Sequence, residues 1–494
     1  MKWMHNFGVS LLMAGVSGNL LAGLAVGTDY KRPATPTSTG FADAETGTWK
    51  EATPADAIAR GNWWTVFNDP VLDELEREAE AKNQDLKAAA ARVTQARALA
   101  RNAKADFFPS LTLDPSAARV RVSDNELNAV PNRLGNDFRV PLDLTYELDL
   151  WGRVRRSFEG ANADAQGRLA AFEGTLLVLK ADVALNYFAL RTLDTERAIL
   201  RSTLKLRRDA LDLVNARFTG GAASELDVSR AETELNSTEA ELFAVERSRS
   251  EVEHALAVLV GKAAGDFAVK ELPLDANTLP PVIPAGLPGD LLERRPDIAE
   301  AERALAAANA RIGVAKAAFF PVVRLTGLAG FESMDVDTLF NWQSRVWSIG
   351  PSITLPVFQG GRNRANLKRS QAAFEENVAD YRQRILVAFK EVQDALTGAR
   401  LLSQQAGAQE RSRASARKTA DISNTRYRAG LVSYLEVVES ERTALTAERD
   451  SARLTGQRLV TSVQLIKALG GGWADSALPK LAANQPQRPL PGAR

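Results

Sequence analysis

The sequence predicts a mainly α-helical chain with a transmembrane β-barrel component, built as one unit repeated twice. Three observations predict it. Two stretches recur in the same order about 210 residues apart. Hydropathy alternates with period two in only a few short regions. Each of those regions is followed by a proline-free helical pattern far longer than an ordinary globular domain uses.

The repeat is read first. Residues 85–109, DLKAAAARVTQARALARNAKADFFP, align without a gap on residues 297–321, DIAEAERALAAANARIGVAKAAFFP. Further on, NARFTGGAASELDV (215–228) aligns with NTRYRAGLVSYLEV (424–437), setting Arg217 on Arg426, Gly221 on Gly430 and Leu226 on Leu435. Copies of this size are too long for solenoid repeats and suit half-domains. The expected organisation is a signal peptide (1–25), an extended segment (26–70), a first repeat (71–271), a proline-rich linker (272–290), a second repeat (291–472) and a tail (473–494).

Composition narrows the function classes. The 494 residues are 45% hydrophobic but only 7% aromatic, a balance that leans helical. Basic residues number 62 and acidic residues 61, so the global field suggests no polyanion partner such as nucleic acid. The absence of cysteine excludes disulfides, thiolate metal sites and thiol nucleophiles. Only His5 and His254 are histidines, and neither sits in a ligand or catalytic pattern. The sequence therefore predicts no enzyme, no metal site and no cofactor.

The elements follow in order. Lys2 and His5 precede FGVSLLMAGVSGNLLAGLAVG, which resembles an export signal with small residues permitting cleavage after Ala25; a membrane anchor is the competing reading, weakened by the glycines and Asn19. No later stretch is apolar enough to cross a bilayer as a helix, so any crossing must be made by strands. Residues 71–106 have helical patterning. Then Val140, Leu142, Leu144, Tyr146, Leu148 and Leu150 alternate with polar residues, as do Trp347, Ile349, Ile353, Leu355 and Val357. Together with less regular strands at 109–122 and 321–332, these predict four strands in two hairpins, 109–150 and 321–358.

Long helices are expected at 153–218 and 362–428, each roughly 100 Å at 1.5 Å per residue. Leu193, Leu200, Leu204, Leu211, Val214 and Phe218, and then Ile385, Phe389, Val392 and Leu396, fall at heptad-like spacings that read as coiled-coil seams. The turns TGGAAS and RAGLVS lead into return helices at 224–261 and 433–470.

Each FFP marks a helix-to-strand handover, with proline supplying the break. Phe107, Phe108, Phe319 and Phe320, with Trp151 and Phe358 at the ends of the second strands, suit a membrane–water interface. Aromatics at strand ends also plug ordinary cores, which is the plainer alternative. Four strands cannot close, and lipid tolerates no open edge, so spanning requires association. Three copies supply 12 strands, the smallest number that leaves a passage.

At this point the chain resembles a known family. AVGTDYKRP, WWTVFNDPVLDEL, the doubled AFFP-type junction, LLERRPDIAEAERAL, RYRAGLVSYLEV and KALGGGW, in this order, are similar to the outer-membrane factors of tripartite efflux systems, the TolC-like and NodT-type proteins. The resemblance covers nearly the whole mature chain. It implies a homotrimer with a 12-stranded barrel in the outer membrane of a Gram-negative bacterium and a helical tunnel in the periplasm, closed at rest. The implied partners are outer-membrane lipid, a periplasmic adaptor protein and an inner-membrane transporter. In the lipoprotein branch a cysteine stands where this chain has Leu24, so no lipidation is expected; Thr28 replaces the family's usual proline.

The resemblance also assigns sites. Arg217, Gly220, Gly221 and Ser224, and Arg426, Gly430, Leu431 and Ser433, correspond to adaptor-docking turns, although a plain turn signal would look alike. Tyr427, Leu435, Glu439 and Arg442 correspond to a periplasmic gate. The last three share one helix face, as a solvated charge pair also would. Passive export of drugs, metals or other small molecules is the implied function. A protein-secretion duct and an exported, non-membrane coiled-coil scaffold are the alternatives.

Overall fold

The computed structural model describes residues 26–34, 62–123, 125, 134–275, 280–281 and 295–471. The signal segment with Leu24, most of the linker and the tail from 473 lie outside the described residues. The described residues fall into two compact units. The first combines the segment up to Pro33 with Thr94–Ala165 and Glu302–Ala379; the second comprises the described parts of Ala34–Val93, Gln166–Ala301 and Asp380–Arg494.

The first unit holds one antiparallel sheet. Its strands are β1 (Ser110–Leu113), β2 (Ser116–Arg121), β3 (Leu134–Leu148), β4 (Val322–Ser333) and β5 (Arg345–Thr354), in spatial order β1-β3-β4-β5 with β2 also on β3. Five strands replace the four expected, because the first is interrupted at Asp114–Pro115, where proline has no N–H to give the ladder. The central pairing joins the two repeats: Leu144 lies opposite both Leu111 and Gly327. β1, β2 and β5 are left as edges.

Helix segments of this unit pack through alanine. Ala96 and Ala100 meet Ala165, and Ala163 meets Ala306 and Ala307, so backbones approach closely with little side-chain volume between them. The contributing helices are α2 (Gln84–Ala105), α3 (Arg153–Thr219), α5 (Pro296–Ala317) and α6 (Arg362–Arg428). Asp149 starts α3 by accepting from the Val154 and Arg155 N–H groups at 3.0 and 2.9 Å.

Among the described residues, the second unit holds helices and connecting segments but no strand. It contains α1 (Pro70–Lys82), the remaining lengths of α2, α3, α5 and α6, and the helices α4 (Glu225–Leu259) and α7 (Tyr434–Ala468). Asp69 caps α1 through the Val71 and Leu72 N–H groups, with Pro70 in the first turn where its missing N–H costs nothing. The main core gathers Trp63, Trp64, Leu72, Tyr187, Phe188, Leu256, Leu459 and Val463. Gly456 of α7 sits so close to α3 that an added Cβ would overlap the Thr192 side chain. Of the expected seam residues, Leu200, Val214, Ile385 and Val392 are buried, whereas Phe218 is 45% exposed and leaves the seam.

Polar links organise the same unit. Buried Asp194 accepts from Arg191, from Arg249 at 2.6 Å and from the Leu272 N–H at 3.0 Å, which holds the start of the linker against α3 and α4. Arg295 ties three elements together: it pairs with Asp297 at the start of α5, with Glu391 of α6 at 2.6 Å, and donates to the Ala468 carbonyl at 3.0 Å.

Candidate docking tips and gate

The two helix turns are built alike. In the first, Gly221 (φ 75°) follows α3, with Gly221 N–H on the Phe218 carbonyl at 2.9 Å and Ala222 N–H on that of Arg217 at 2.8 Å. In the second, Gly430 (φ 73°) follows α6, and Leu431 N–H reaches the Arg426 carbonyl at 2.9 Å. Both are Schellman closures, which need a residue with positive φ and hence glycine. Gly220 N–H bonds back to Ala216. The next helices start differently. Ser224 and Asp227 form a reciprocal capping box on α4, while Ser433 at the start of α7 makes no side-chain cap bond. Leu431 is 69% exposed at the outer end of its turn.

Arg217 does not project away from the chain. Its guanidinium lies 4.5 Å above the Tyr427 ring and donates to the carbonyls of Tyr427 (3.1 Å) and Arg428 (3.0 Å). It therefore caps the C-terminus of α6 from the first repeat, where a cation meets the negative end of the helix dipole. Its repeat counterpart Arg426 makes no such contact. Beneath the clamp, Val214, Ala231, Tyr427, Tyr434, Val437 and Val438 form one apolar cluster shared by both repeats. Burial pushes the Tyr434 phenol up to about 12, so it stays neutral.

The candidate gate residues divide into two groups. Tyr427 is buried in that cluster, its ring centroid 5.4 Å from that of Tyr434. Leu435, Glu439 and Arg442 share the exposed face of α7. The link expected between Glu439 and Arg442 is weak within the chain, with 3.9 Å between the charged atoms. Arg442 instead donates two bonds to Glu234 of α4, one from Nε at 2.8 Å, and Glu234 also pairs with Arg207 of α3 at 2.9 Å. Glu234 and Arg207 were missed by sequence reasoning. No local signal marks them, because both lie on other helices and the repeat register sets Arg442 on Thr233 only as an equivalent position.

The aromatics expected at the membrane interface, all in the first unit, also divide. Trp151 stacks on Phe320 with centroids 4.8 Å apart and donates Nε1–H to the Pro321 carbonyl at 2.7 Å; Phe107 meets Phe158 edge-on. Phe108 and Phe319 are exposed, and Phe358 is 88% exposed. Trp151 and Phe320 thus fasten the helix–strand junction, a role plain packing explains, while Phe108, Phe319 and Phe358 face outward.

The family model for "outer membrane efflux protein" matches the chain twice, over residues 75–262 and 287–471. The chain belongs to the outer membrane efflux protein family. One match falls in each half of the chain. The solvent efflux pump outer membrane protein SrpC of Pseudomonas putida is 35% identical over 92% of this chain and 97% of its own length. The cation efflux system protein CusC of Escherichia coli K12 is 33% identical over 92% and 97%. Among solved structures, the outer-membrane channel OprN superposes with a TM-score of 0.83 at 31% identity, covering 91% of this chain and 99% of OprN. The CmeC channel of Campylobacter jejuni gives 0.83 at 26% identity, covering 92% and 96%. This efflux protein is accordingly an outer-membrane component of an export system, in a family of channels rather than enzymes.

Proposed function

We propose that the efflux protein is the passive outer-membrane duct of a tripartite pump. It assembles as a homotrimer with a 12-stranded barrel, receives small molecules from an inner-membrane transporter through a periplasmic adaptor, and is shut at rest by the α7 face bearing Leu435, Glu439 and Arg442. The observation that carries this reading is the outer strand β5. Trp347, Ile349 and Ile353 are 73%, 66% and 67% exposed on a strand whose outer edge pairs with no strand among the described residues. In water, such a strand promotes aggregation. In a barrel closed by copies of the chain, the edge is paired and the apolar side chains meet lipid.

The relatives span solvent, antibiotic and cation efflux by name, so the shared architecture does not select a cargo. What it supplies is a wall and a closure. The tips, with Leu431 exposed and the paired glycines allowing close approach, are the surface offered to an adaptor. Native mass spectrometry of the detergent-purified protein should give three chains, and the same material should form channels in planar bilayers. A stable monomer without channel activity would refute the duct.

A further inference from the structure

We propose that the groove between α2 and the start of α3 binds the phosphate of an anionic phospholipid. The groove encloses about 530 Å³, and Arg97, Arg101 and Lys104 line its α2 side. At spacings of four and three residues they share one helix face. No side chain of the three makes a hydrogen bond or ion pair among the described residues. Four cations of α3 and α5 in the same unit are engaged instead. Arg153 is held by Glu147, Arg155 by Asp149, Arg156 by Asp29 and Glu159, and Arg311 by Asp164. The opposite wall offers the Asn162 amide and the Phe158 ring, above the alanine contact of Ala100 with Ala165. Guanidinium forks suit phosphate oxygens, and the apolar wall suits a glycerol or acyl stem.

The shared fold does not require this charge. In the second repeat the same positions are Asn309, Gly313 and Lys316; Asn309 donates to the Thr28 carbonyl, and Gly313 lies against Arg156. At these three positions only the first repeat has a cation at each. The location also fits a lipid. Lys104 lies three residues before Phe107, so the cations span a helix length within about 15 Å of the helix-to-strand junction. This inference rests on the proposed membrane reading, which sets the junction at the headgroups of the periplasmic leaflet.

The test is native mass spectrometry of the full-length protein in neutral detergent, titrated with phosphatidylglycerol, phosphatidylcholine or glycerol phosphate. Each cation near an anionic headgroup is worth roughly fivefold in binding, so phosphatidylglycerol should be preferred over phosphatidylcholine by about a hundredfold. The R97Q/R101Q/K104Q variant should lose that preference while Lys316→Gln keeps it, with trimer mass and conductance unchanged in both. Equal retention of the two lipids, or retention of phosphatidylglycerol by the triple variant, overturns the site. Glycerol phosphate binding as tightly as the lipid makes it a free-anion site and also overturns it. A change in anion permeability without a change in lipid binding places the cations on the aqueous passage and overturns the lipid site as well. Channels that form yet show no lipid preference defeat this inference alone, whereas absence of both trimer and channel defeats the duct itself.

Discussion

Glu76 is the residue at which local chemistry most opposes stability. It is fully buried on α1, and neither carboxyl oxygen has a hydrogen-bond partner among the described residues. Burial raises its pKa from 4.5 to about 9, the lowering influence of Lys180 being smaller, and Glu80 and Asp73 raise it further. Lys180 is itself engaged, pairing with Glu80 at 3.0 Å and lying 4.6 Å above the Trp64 ring. An unfolded Glu ionises near 4.5, whereas this one stays protonated. The contribution of Glu76 to stability is therefore fully present below 4.5 and is lost progressively as pH rises toward about 9, by at most about 1.4 kcal/mol per pH unit. Glu76→Met removes both the titration and the orphaned oxygens at similar volume. Its thermal midpoint should exceed the parent's at pH 8 by clearly more than at pH 5; equal gains at the two pH values would mean that Glu76 does not titrate there.

At the scale of elements, the question is what holds α7 against α4 near the tips. Three contributions act on one place: the Arg442–Glu234 pair, the Arg217 clamp on the end of α6, and the apolar cluster around Tyr427 and Tyr434. The carboxylate of Glu234 is shielded, whereas Arg442 is half exposed, so their link lies between a solvated pair worth about 1 kcal/mol or less and a buried charged bond worth up to about 3. Such a link suits the proposed gate, since it can hold and yet be undone. Arg442→Ala should raise single-channel conductance in planar bilayers and leave trimer mass unaltered. Glu234→Gln should do the same, with some added loss of stability because it also strips Arg207 of its carboxylate. Glu439→Ala should have the smallest effect of the three. If Glu439→Ala opens the channel while Arg442→Ala does not, the closing contact of Glu439 is to another copy of the chain. If only Leu435→Ala opens it, closure is apolar.

For the whole molecule, the decisive matter is where the sheet's exposed apolar side chains go. On the barrel reading, Trp347 and Ile349 meet hydrocarbon. A lysine facing lipid near the bilayer midplane costs roughly 2–4 kcal/mol. Trp347→Lys combined with Ile349→Lys should therefore abolish recovery of heat-modifiable trimer from outer membranes. The periplasmic helices should survive this change, because their cores are Ala96, Ala100 and Ala165 in one unit and the Trp63–Tyr187 cluster in the other. Recovery of normal trimer from the double variant would place those side chains off the lipid face.

How much was legible beforehand follows from the range of each interaction. Periodicity and punctuation act within a few residues, and they suffice for the repeat, the long helices beginning at Arg153 and Arg362, the glycine turns at Gly221 and Gly430, and the strands around Leu144 and Ile349. Even the break in the first strand was local, since Pro115 cannot donate to β3. The partners of the charges were not legible. Dozens of arginines and carboxylates alternate along these helices at similar spacings, so nothing near Arg442 distinguishes Glu439, three residues away, from Glu234 on another helix. The same holds for Arg217, whose string marks a turn but whose side chain caps the other repeat, and for Trp151, whose string marks a strand end but whose ring stacks on Phe320 and donates to Pro321. The sequence by itself determined the elements, their order and the family, because backbone propensity and hydrophobic patterning are short-range. Only the tertiary structure decided which charges pair, which aromatics pack inward and which cations of α2 stay unpaired, because those depend on neighbours up to about two hundred residues away in the chain.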